Sequence, residues 1–84
     1  MRDSLRSPRQ QQLRVLLRSL RERRHLTQTD VADRLAKPQS FVAKYEGGER
    51  RLSVIEFIDV VRALEANPAD VLLRFIKTIE QTKR

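Results

Sequence analysis

Five stretches of the chain repeat apolar residues at the three-to-four spacing of a helix. The first covers about 8 to 24, with Leu13, Leu16, Leu17 and Leu20 on one side; the second covers about 28 to 35, with Val31, Ala32 and Leu35. A third, at about 39 to 46, carries Val42 and Tyr45. Val54, Phe57, Ile58, Val61 and Leu64 mark a fourth at about 54 to 65, and Val71, Leu72, Phe75, Ile76 and Ile79 a fifth at about 68 to 81. Each start has a physical reason. Ser7-Pro8-Arg9-Gln10 supplies a hydroxyl cap, a first-turn proline and a Gln at the third position, the pattern of a capping box. Ser53 with Glu56 is another box, and Thr27 with Asp30 a looser one. Asn67-Pro68 with Asp70 adds a cap and an acid at the positive helix end. No stretch alternates with period two, so the expected fold is all-α: a compact five-helix domain spanning 1–84. The ends at 1–6 and 82–84 are expected to fray.

The short third helix changes the picture from fold to chemistry. It follows a three-residue break, Ala36-Lys37-Pro38, and presents Gln39, Ser40 and Lys44 on one face and Val42 and Tyr45 on the other. Amide, hydroxyl and ammonium groups on the outer face of a short helix suit base-pair edges in a major groove. Gln can pair bidentately with adenine N6 and N7; Ser can serve several bases; Lys44 could reach a guanine or a phosphate. Pro38 could touch a thymine methyl, although its place at a helix start already explains it. Phe41 sits off the Val42–Tyr45 side, and two placements are open: along the sugar–phosphate backbone, or folded back onto the second helix.

The charge supports a polyanionic partner. The net charge is +7, and residues 1 to 26 hold eight Arg against Asp3 and Glu22. Arg2, Arg6 and Arg9 could form a basic arm around a duplex, or a loose tail. There is no cysteine, and the lone His25 cannot build a zinc site or a histidine-based triad, so no metal or cofactor is expected. No phosphate loop or nucleophile–base pair suggests an enzyme. No apolar run is long enough for a membrane span. The Arg- and Ser-rich start has the flavour of a transit peptide but runs into a core-patterned helix, so cytoplasmic residence is the expectation. RNA fits less well, because the major groove of double-stranded RNA is too narrow to read.

Together these residues resemble the helix-turn-helix of the Cro and phage-repressor family, the Xre-like regulators, over roughly residues 13 to 72. The shared pattern is Thr27-Gln28 opening the second helix, Ala32 within it, Val42 in the third, Glu46-Gly47-Gly48 closing it, and a basic loop, Glu49-Arg50-Arg51-Leu52, before Ser53. The resemblance implies that the second and third helices form the helix-turn-helix. Thr27 and Gln28 would then meet a phosphate, Gln39 and Ser40 would read bases, and Arg50 and Arg51 would grip phosphate. It also implies a buried ion pair between Arg21 and Glu46. Three departures stand out. His25 and Ala36 replace glycines at sites that tend to need positive φ, at a cost of about 1 kcal/mol each. Lys37 replaces an apolar residue that usually caps the core.

The fifth helix carries more apolar residues than one face of a small core requires. Val71 and Leu72 are expected to finish the core, leaving Phe75, Ile76 and Ile79 for a partner. Palindromic sites are read by dimers, so a homodimer through residues 68–81 is the natural expectation, with Ile55 joining that surface. The alternative for the stripe is a longer helix lying back across the first. The leading reading is a small dimeric DNA-binding regulator, a repressor or autoregulator. Phage-type repressor, restriction–modification controller and antitoxin are indistinguishable roles within it. The alternative function is a protein-interaction module, such as the antitoxin of a toxin–antitoxin pair, with the stripe binding another protein.

Overall fold

A computed structural model describes residues 7–81. Its five helices are α1 (Pro8–Arg23), α2 (Gln28–Leu35), α3 (Gln39–Gly47), α4 (Val54–Ala63) and α5 (Pro68–Gln81). The starts follow the caps written in the sequence. Ser7 Oγ accepts from the Gln10 backbone N–H at 3.2 Å, but the Gln10 side chain does not reach back, so the capping box expected there closes on one side only. At α2 the Thr27 hydroxyl takes the Asp30 N–H while the Asp30 carboxylate takes the Thr27 N–H. Ser53 and Glu56 do the same at α4, and Asn67 Oδ1 accepts from Ala69 and Asp70 at α5. Each bond satisfies a backbone donor that the helix cannot.

The helix ends are less ordinary. His25, Ala36 and Glu65 all adopt the left-handed conformation, with φ of 58°, 56° and 62°. Each is followed by an N–H that reaches back five residues: Leu26 to Arg21, Lys37 to Ala32, Ala66 to Val61. This is the Schellman motif, built three times without glycine. Gly48, with φ of 84°, closes α3 in a related way, its successor Glu49 bonding Lys44. The positive φ expected at His25 and Ala36 is therefore present, and Glu65 adds a third site that no local signal marks. Two arginines hold the end of α4. Arg24 donates to the carbonyls of Leu64 and Glu65, and Arg34 to that of Ala63 and to the Glu65 carboxylate. A cation at the negative end of a helix is favourable, and here one comes from the C-cap of α1 and the other from α2, so they also tie α4 to both.

One core joins all five helices: Leu17 and Leu20 from α1, Val31 and Ala32 from α2, Phe41, Val42 and Tyr45 from α3, Val60 and Val61 with Leu64 at the end of α4, and Val71 from α5. Two expectations need correction, and one core residue carries no mark in the pattern. Val54 opens α4 and is 76% exposed, and Ile55 beside it is 71% exposed, so the first residues of that helix lie outside the core. Leu72 is 46% exposed, since α5 turns its Val71 side, not its Leu72 side, to the bundle. Val60, unmarked in the sequence reading, is fully buried.

Candidate nucleic-acid interface

The helix-turn-helix is held to α1 by a chain of polar side chains that ends at the solvent. Arg21, in the last turn of α1, grips Glu46 of α3 with two bonds, Nε to Oε2 at 2.7 Å and Nη2 to Oε1 at 3.0 Å. Its Nη1 donates to the Leu26 carbonyl at 2.8 Å. Both side chains are largely buried, and the bond to Glu46 raises the Arg21 pKa above its ordinary value. The ion pair implied by the family resemblance is thus present. It is bidentate, the geometry in which a buried pair best offsets its desolvation. Beside it, burial pushes the Tyr45 phenol well above its usual range.

Glu46 does more than neutralise Arg21. Its Oε1 also accepts from Gln28 Nε2 at 3.0 Å, and Gln28 Oε1 in turn accepts from Gln39 Nε2 at 2.7 Å. An ionised carboxylate only accepts, so it forces the NH₂ end of Gln28 inward and the carbonyl end outward. That carbonyl only accepts, so it holds the NH₂ of Gln39. Gln39 keeps one N–H and its whole carbonyl for another partner. Two residues eleven positions apart, on α2 and α3, therefore form one oriented amide pair at the exposed start of α3.

The remaining site residues divide. Ser40 and Lys44 are exposed on the same helix, and Pro38 stands exposed as the N-cap of α3. Thr27 is exposed at the start of α2, its oxygen engaged with the Asp30 N–H. That cap holds the Asp30 carboxyl below its usual pKa, chiefly through the Thr27 N–H. Arg51 is exposed in the loop before α4.

Of the two placements open for Phe41, the structure shows the buried one. It is only 8% exposed and packs edge-on against Tyr45, with ring centres 5.6 Å apart. A side chain so buried does not lie along a sugar–phosphate backbone. Its ring instead carries two cations, the Arg50 guanidinium carbon at 4.8 Å and the Lys37 ammonium at 5.3 Å from its centre. Lys37, in a place where an apolar cap is usual, thus sits on the ring one turn further along. Arg50 is bonded at both Nη atoms to Glu56, each at 2.9 Å. In the sequence Glu56 reads only as a cap, because a pairing six residues apart across a loop has no sequence signature.

The α5 stripe also divides. Phe75 and Ile79 are half-buried and turn toward Leu13 of α1, lining a cleft with Arg9 and Gln10. Ile76 faces solvent at 38% exposure, with Leu72 and Leu73 also open and Ile55 of α4 71% exposed. Arg9 lies in α1, while Arg2 and Arg6 of the expected basic arm fall outside the described residues. No helix among the described residues is long and apolar enough to cross a membrane.

Known proteins share both pattern and shape. Residues 12–73 match the family model described as a helix-turn-helix domain. An XRE-family-like protein from Pseudomonas syringae pv. tomato is 43% identical, with 83% of this chain and 85% of that one covered and a TM-score of 0.80. The regulator of the clp gene from C. glutamicum, ClgR, is 25% identical over 87% of this chain and 95% of its own, with a TM-score of 0.74. The restriction-modification controller protein C.Esp1396I, solved as a tetramer with its natural 35 base-pair operator, shares the fold at a TM-score of 0.78 and 19% identity, over 87% of this chain and 96% of that one. No curated protein sequence matches. The polar chain from Arg21 to Gln39, the helix-turn-helix of α2 and α3, and the family match over most of the length lead to one assignment: the chain belongs to the Xre-like family of helix-turn-helix DNA-binding proteins.

Proposed function

We propose that this protein is a dimeric transcriptional regulator that lays α3 in the major groove and reads sequence with Gln39. The observation that carries the proposal is the oriented pair of amides. Free glutamine side chains rotate, and fixing one costs side-chain entropy on binding. Here Glu46 and Gln28 meet part of that cost in advance. The remaining N–H and carbonyl of Gln39 match adenine N7 and N6. Ser40 lies beside it for a neighbouring base, Lys44 one turn on for a base or a phosphate, and Pro38 within reach of a thymine methyl. Thr27 and Gln28 start α2, where a phosphate meets a helix N-terminus.

Arg50 and Arg51 supply the phosphate grip. Replacing either with Ala should weaken binding about equally on every duplex and lower the slope of log affinity against log salt by about 0.9. Titrations on specific and scrambled duplexes at several salt concentrations check this. A changed base preference at constant slope would contradict it.

The partner is a second copy of the chain. Leu72 and Ile76 on α5 and Ile55 on α4 are exposed apolar side chains, and Phe75 and Ile79 of the same α5 stripe line a cleft with Leu13 of α1. Each large side chain buried there would contribute about 1.5–3 kcal/mol at most. Sedimentation at micromolar concentration should give a dimer for the native chain and a monomer for Ile76→Asp. A native chain that sediments as a monomer would overturn the dimer and favour a different protein on that stripe. A pair of inverted half-sites is the operator this arrangement suits, and occupying it would block transcription.

A further inference from the structure

Arg50 has five N–H donors. Nη1 uses both of its own, one on Glu56 Oε1 and one on the Arg51 carbonyl, each at 2.9 Å. Nη2 uses one on Glu56 Oε2 at 2.9 Å. Among the described residues, nothing takes Nε–H or the second Nη2 hydrogen. Those two lie on one long edge of the planar guanidinium, parallel and spaced for two oxygens of a phosphate. The plane is fixed from below by Phe41 and from the side by Glu56.

Glu56 is fixed in its turn. Its Oε1 also closes the Ser53 cap of α4, accepting the Ser53 N–H at 2.9 Å. Arg50 and the cap hold its carboxyl down at about 2, so it stays ionised at any physiological pH. The carboxylate thus stands between the first turn of α4 and the loop after α3, and Arg50 cannot turn without breaking two charge-assisted bonds.

We propose that Glu56 and Phe41 are positioning residues for DNA binding: they occupy one edge and one face of the Arg50 guanidinium and aim its free edge at a backbone phosphate. The proposal rests on the reading of Arg50 as a phosphate contact. It makes position 50 demand arginine, not positive charge alone. A lysine there has one nitrogen, which Glu56 would hold and neutralise. With Glu56 replaced by Gln, the lysine would be released to the phosphate. Glu56→Gln keeps an oxygen for the Ser53 cap, so the helix start survives.

The test compares Arg50→Lys in two backgrounds, native and Glu56→Gln, by titrating one specific duplex over a range of salt. With Glu56 present, Arg50→Lys should lose roughly tenfold or more in affinity and about one phosphate contact in salt slope. In the Glu56→Gln background the same exchange should cost much less and leave the slope unchanged. A native-like Arg50→Lys, or an equal cost in both backgrounds, overturns the proposal while leaving the phosphate contact intact. Arg50→Ala with unaltered affinity and slope overturns both. Thermal unfolding of each variant keeps folding losses apart from binding losses.

Discussion

Replacing Glu46 with Ala should lower the stability of the domain by about 3–5 kcal/mol. Removal of the acid leaves the Arg21 guanidinium largely buried with its main partner gone, and leaves the Gln28 amide without its acceptor. Breaking one side of a buried pair costs far more than the pair itself is worth, because the orphaned charge remains desolvated. A small domain has on the order of 5 kcal/mol in total, so the variant should be largely melted near physiological temperature. Urea denaturation of the native chain and the variant measures the difference. Replacing both partners together, Arg21→Met with Glu46→Leu, should cost much less stability, since no charge is left behind. That double variant should still bind DNA with poorer discrimination, because Gln28 has lost the group that orients it. A loss below about 1 kcal/mol for Glu46→Ala would mean that water reaches the pair and that it anchors nothing.

Replacing Gln39 with Ala should cost about 1–3 kcal/mol on the best site, roughly 5- to 150-fold in affinity. The loss should come with relaxed preference at one base pair in each half-site, and the two half-sites should respond alike. Gln28→Ala should relax the same base pair to a smaller degree, because it frees the Gln39 amide to rotate without removing it. Binding to a panel of single-base variants of the site compares the three proteins. The same base profile for the native chain and Gln39→Ala would remove Gln39 from the reading surface.

These two residues show what a sequence can and cannot carry. The helix starts were legible because a cap is a local event: Ser7, Thr27, Ser53 and Asn67 meet donors two or three residues away. The side of a helix that packs was legible only in part. Periodicity puts Val54 and Leu72 near an apolar face, but how α4 and α5 sit on the bundle decides that they stay open while Val60 is covered. Phe41 was undecided for the same reason: its burial depends on where α4 and the following loop come to rest. Arg21 and Glu46 came from the resemblance, since a pair 25 residues apart has no local mark. The bond between Gln28 and Gln39 needs the folded turn, although each glutamine is legible alone. Glu56 was hidden because one explanation, the cap, already accounted for it.

Selection of bound duplexes from a random pool at physiological salt tests sequence reading most directly. The expected product is an enriched pair of inverted half-sites with centres about one helical turn apart, each with an adenine that a parallel selection with Gln39→Ala no longer prefers. A pool that stays random, with binding that fades uniformly as salt rises, would mean that the protein holds phosphates alone and reads nothing.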